Sequence, residues 1–121
     1  MNNNNFQALA SLARTATATS DDLTNSGFRG IHVIIDMTAV TATGSVTPTI
    51  QGKDPVSGEY YTILVGTAIS TESTNVLRVY PGLTASANSI ANDIIPSKFR
   101  VVMTHGNGVS MTYSVGINLV R

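Results

Sequence analysis

Residues 111–120 read MTYSVGINLV. Met111, Tyr113, Val115, Ile117 and Leu119 alternate with Thr112, Ser114, Gly116 and Asn118. In an extended chain, successive side chains point to opposite faces, so this alternation predicts a strand with one apolar and one polar face. The same period recurs upstream. In RGIHVIIDMTAV (29–40), Ile31, Val33, Ile35 and Met37 share a face opposite His32, Ile34, Asp36 and Thr38. In KFRVVMT (98–104), Phe99, Val101 and Met103 oppose Arg100, Val102 and Thr104. VTPTIQG (46–52) puts Val46, Pro48 and Ile50 together, and YYTILV (60–65) and VLRVY (76–80) complete six strands. Pro48 has no amide proton for a ladder, so its strand is expected at a sheet edge, or with the missing donor turned outward.

Between the strands lie turn formers. KDPVSGE (53–59) joins two of them as a hairpin: Asp54 accepts backbone hydrogen bonds, Pro55 presets its φ, and Gly58 takes a positive φ. Lys53 and Glu59 flank this tip and are expected to pair across it. Pro81-Gly82 signals a type II turn, and HGNG (105–108) is a further turn. Residues 83–93 read as weakly helical or irregular. No long helical period is available for βαβ crossovers. The expected fold is therefore all-β, a single-domain antiparallel β-sandwich or jelly-roll-like barrel over residues 14–121. RTATATS (14–20) reads as extended and DDLTNSG (21–27) as a loop. Residues 1–13 are set apart as a flexible N-terminal arm. Met1 to Asn5 is a polar tract expected to be disordered, and FQALASL (6–12) is either one or two helical turns or an arm that orders on a partner.

Composition narrows the function classes. The 121 residues carry seven basic and seven acidic side chains. That balance lacks the cationic excess that phosphate neutralisation requires of a nucleic-acid binder, and it leaves no polybasic membrane patch. No apolar run is long enough for a membrane helix, and no secretory leader is recognisable at the N-terminus. Charged residues make up only 12% of the chain, so Thr, Ser and Asn supply the polar surface. A neutral surface of that kind favours association. There is no cysteine, which excludes disulfides and thiolate metal sites.

Chemistry-bearing patterns are sparse. His32 and Asp36 share a strand face but stand about 13 Å apart at roughly 3.3 Å per residue, too far to ligate one ion. A site using His105 as well would depend on strand ends meeting. Asp21, Asp22 and Asn25 resemble a calcium loop in composition, without EF-hand spacing. No nucleophile elbow or phosphate-binding glycine motif occurs. With four tyrosines, three phenylalanines and no tryptophan, a stacking platform for sugars or bases is poorly equipped. No catalytic residue, metal or cofactor is assigned.

Five segments together resemble a known class: GIHVIIDMTAV, IQGKDPVSGEYYTIL, VLRVYPGLT, IPSKFRVVMTH and YSVGINLV. In this order they are similar to small proteins encoded in the head-morphogenesis region of tailed-bacteriophage and prophage genomes. The resemblance spans roughly Arg14 to Val120, and IQGKDPVSGEYY and LRVYPGL are its most specific pieces. It implies a virion structural protein, above all a capsid decoration or cement protein. Such proteins bind the outside of the expanded head, often as homotrimers, and clamp neighbouring copies of the major capsid protein. No catalytic residue carries over. The expected localisation is the outer capsid surface, after synthesis in the host cytoplasm. The expected capsid contacts lie on the arm: Phe6, Leu9 and Leu12 as apolar anchors and Arg14 as a polar one. Two other roles fit the same sequence, a tail-associated or head-fibre accessory protein and a carbohydrate-binding β-sandwich module.

Overall fold

A computed structural model describes residues 4–121. The alternating segments become strands, and their apolar faces meet. Ten strands form: β1 (Asn5–Arg14), β2 (Ala18–Thr19), β3 (Leu23–Thr24), β4 (Gly30–Val40), β5 (Val46–Lys53), β6 (Tyr60–Val65), β7 (Ser73–Val79), β8 (Ile90–Ala91), β9 (Lys98–His105) and β10 (Met111–Val120). They make two sheets, ordered β1-β10-β4-β7-β8 and β2-β9-β5-β6, with β3 also pairing β9. Every pairing is antiparallel except the short β7–β8 ladder.

The order follows a simple rule. The first half of the chain pairs with the second half in reverse: β1 with β10, β2 and β3 with β9, β4 with β7, β5 with β6. That folded ribbon curls so that β10 also pairs β4 and β9 also pairs β5. The result is the double Greek key of a jelly roll, with β8 appended at one edge. The sheets do not close, so the molecule is a sandwich and not a barrel.

The core lies between the sheets. Ile31, Val33, Ile35 and Met37 of β4 and Met111, Tyr113, Val115, Ile117 and Leu119 of β10 face Val46 and Ile50 of β5 and Phe99, Val101 and Met103 of β9. These are the apolar faces that alternation predicted. Ser20 bridges β2 and β3: its N–H donates to the Val101 carbonyl at 2.9 Å, and its hydroxyl accepts from the Val101 N–H at 2.9 Å. The two short pieces thus act as one interrupted strand along β9.

Several expectations change. The boundary at residue 13 falls inside a strand: Asn5–Arg14 is neither helix nor free arm but adds to β10 with two register shifts. Phe6, Ala8 and Leu9 pack against the sandwich's own core, which burial favours over exposure of the same side chains. The disorder expected of Met1 to Asn3 lies outside the described residues. Pro48 is not at an edge, since β5 has β9 on one side and β6 on the other. Its carbonyl accepts from Gly66 N at 2.7 Å, just past the end of β6, so the missing donor falls where the β6 ladder has stopped. Residues 83–93 contain β8 and no helix.

Candidate functional site

Among the described residues, no three His, Asp or Glu side chains come together to hold a metal ion. His32 and Asp36 lie on the outward face of β4, whereas His105 is at the end of β9 in the other sheet. Asn25 of the acidic loop is buried: its Nδ2 donates to the Phe28 carbonyl at 2.7 Å and the Ile95 carbonyl at 3.0 Å, and its Oδ1 accepts from Phe28 N at 3.0 Å. Its role is to pin two loops together.

Asp22, from the same loop, takes Lys53 away from Glu59. Lys53 Nζ lies 2.7 Å from Asp22 Oδ2, and the Tyr60 hydroxyl donates to Asp22 Oδ1 at 2.6 Å. The Lys53 bond, then the Tyr60 bond, hold the Asp22 carboxyl below its ordinary range. Arg100 stacks 3.4 Å above the Tyr60 ring centre and donates through Nε to Gln51 at 2.8 Å. The expected Lys53–Glu59 pair is absent because Lys53 reaches a carboxylate on a distant loop that already has a second donor. The hairpin tip itself forms as expected. Asp54 accepts from Val56 N and from the Ser57 hydroxyl, both at 2.9 Å, and Gly58 has φ 78°. Those two bonds lower the Asp54 carboxyl, that from Val56 most.

The proposed contact residues separate in the structure. Phe6 and Leu9 are half-buried on the core. Arg14 donates to the carbonyls of Tyr113 at 2.8 Å and Ala10 at 2.6 Å, and its guanidinium lies 4.8 Å from the Tyr113 ring centre. Only Leu12 presents its side chain outward, 50% exposed.

Further apolar exposure sits elsewhere. Val56 at the β5–β6 tip is 95% exposed, Ile94 in the β8–β9 connection 58%, and Tyr61 49%. All three lie at the same end of the sandwich, where the β5–β6 turn and the β8–β9 connection emerge. Tyr61 and Pro96 both lean over Gly52, where a Cβ would stand 2.5 Å from Tyr61 Cζ and 2.9 Å from Pro96 Cγ. Alternation could not find this surface, because isolated apolar residues in loops carry no period. The surface offers apolar contact on a rigid frame and no arranged nucleophile or acid pair. Comparison with known proteins finds no matching family model, no similar curated protein and no similar solved structure.

Proposed function

We propose that the protein acts by contact, as a virion structural protein that binds the outside of a tailed-phage head and stabilises it as a decoration protein. The observation that carries the reading is the exposure of Val56, Ile94 and Tyr61 at one end of the sandwich; Leu12, Val65 and Leu83 are the other exposed large apolar side chains among the described residues. An exposed apolar patch marks a place for a partner, and these three side chains are the ones from which such a patch would be built. The sequence resemblance described above names that partner as the major capsid protein, with a homotrimer as the bound form. The jelly roll is used by viral capsid domains and by lectins alike, so the fold agrees with the reading without selecting it.

On this reading each contact buries apolar surface at about 25 cal/mol per Å². Three linked copies raise the effective concentration of the second and third contacts, which lengthens residence. A protein that binds only the expanded shell stabilises that shell by mass action. Phe6 and Leu9 serve the subunit's own core, which leaves Leu12 and the loop tips to meet the shell.

Co-sedimentation with empty heads tests the proposal. The chain is expected to pellet with expanded heads and less with unexpanded ones. A Val56→Asp/Ile94→Asp variant is expected to stay in the supernatant while unfolding at the unchanged temperature. Failure of the unaltered protein to pellet with either form would sink the reading.

A further inference from the structure

On the outward face of the β1-β10-β4-β7-β8 sheet lies an open pocket of about 290 Å³, lined by His32, Arg78, Val79, Tyr80, Leu83, Val120 and Arg121. His32 and Arg78 are directly opposed partners on β4 and β7. This register sets the Arg78 guanidinium beside His32 on one sheet face, where a carboxylate would be the ordinary partner of the arginine. Here no acidic side chain lines the pocket. Among the described residues the ion pair is Lys53–Asp22, at the other sheet, so no Asp or Glu side chain forms a salt bridge with Arg78 or Arg121. Asp36, the acid on the same face of β4, is four residues from His32, about 13 Å along the strand.

The rest of the pocket is apolar and ordered. Leu83 and Val120 supply aliphatic wall. Tyr80 is held by its hydroxyl, which donates to the Arg121 carbonyl at 2.6 Å. The Arg121 guanidinium stands 5.1 Å from the Phe28 ring centre, a contact that orients it. The preceding loop turns at Pro81-Gly82, where Gly82 has φ 93° and its N–H donates to Asn92 Oδ1 at 2.8 Å.

We propose that this pocket binds a carboxylate carried on a short apolar or aromatic body, with Arg78 and Arg121 taking the anion, His32 donating to it, and Leu83, Tyr80 and Val120 covering the body. A guanidinium presents paired N–H donors that match a carboxylate. The same guanidinium also matches phosphate, and it is the apolar wall of Leu83, Tyr80 and Val120 that favours an anion carried on an apolar body. The carboxylate can belong to a free small acid or to the end of a peptide. The inference stands apart from the capsid reading, since it uses the opposite layer of the molecule from the Tyr60 face and none of Val56, Ile94 or Tyr61.

The test is a titration followed by amide NMR with 3-phenylpropionate, its neutral amide, inorganic phosphate, and a peptide ending in phenylalanine with a free or amidated terminus. The acid is expected to give saturable shifts at residues 32, 78–83 and 120–121, with a dissociation constant of the order of 1 mM for a ligand this small. Arg78→Gln is expected to weaken it at least about tenfold, as is Leu83→Asp, which places a carboxylate in the pocket. If the free-terminus peptide binds more tightly than the acid, the ligand is a chain terminus; the reverse assigns a free acid. No saturable shifts, equal binding of the amides, tighter binding of phosphate, or an unchanged Arg78→Gln variant would each overturn the proposal.

Discussion

His105 Nε2 lies 2.9 Å from the Tyr113 hydroxyl oxygen, and His105 Nδ1 is buried with no partner. Whichever ring nitrogen carries the proton, one polar atom of this pair stays unsatisfied. Tyr113 is completely buried, and Arg14 stands over its ring. Burial, and then the Arg14 charge, lower the His105 pKa below its ordinary 6.5. Burial likewise raises the Tyr113 pKa above its ordinary 10.0, against the pull of Arg14.

A first prediction follows from the sign of the His105 shift. The unfolded chain binds a proton more readily than the folded one, so the stabilising contribution is complete above pH 6.5 and is lost as the pH falls through the lower folded value. Asp22 and Asp54 are also lowered, from 3.8, so their contribution is lost only in stronger acid. Urea unfolding should show two separate declines on acidification. His105→Gln should abolish the upper decline and leave the lower one in place.

The edge position of β1 predicts the outcome of removing it. Deleting residues 1–13 takes Phe6 and Leu9 off the core and uncovers the β10 edge. Exposed strand edges invite pairing with other chains. The truncated protein should unfold at a lower temperature and show a rising mass with concentration by light scattering. A fully stable, monomeric truncation would mean that β1 is dispensable to the fold.

Two glycines should respond differently to alanine. At Gly30 the new Cβ would collide with the Val79 carbonyl oxygen, which is backbone and cannot move alone, and with Tyr80 Cδ2 at 2.5 Å. Gly30→Ala should cost about 3 kcal/mol. At Gly52 the obstacle is the ring end of half-exposed Tyr61 together with Pro96. Gly52→Ala should cost less, about 1 kcal/mol, and Tyr61→Ala in the same chain should recover much of it. Denaturant unfolding of the three variants checks the order.

Neighbouring isoleucines on β4 test the face assignment. Ile35 is fully buried between the sheets, and Ile34 lies on the outward face opposite Val76. Ile35→Ala should destabilise by roughly 2–5 kcal/mol, with a residual cavity. Ile34→Thr should cost under about 1 kcal/mol, since threonine suits a pleated outer surface. Equal effects would mean that the register of β4 is misassigned.

The inward faces of β4, β5, β9 and β10 were legible in the sequence because a period of two is a local property of each strand. The tip at Asp54–Gly58 and the turn at Pro81-Gly82 were legible for a similar reason: proline and glycine set backbone angles within a few residues. The fate of the N-terminal segment was not. FQALASLAR has no clean alternation, and its place is decided by the free edge of β10, about a hundred positions away along the chain. Likewise Lys53 had a neighbour in Glu59, yet found Asp22 where a second donor from Tyr60 was already in place. Only the tertiary structure set the His32–Arg78 pocket and the buried His105–Tyr113 pair, because each is made by elements that the ribbon brings together when it folds back on itself. The sequence by itself determined which side of each long strand meets the core. The pairing of the two halves of the chain determined which outward side chains became neighbours, and that is where the candidate chemistry of this protein resides.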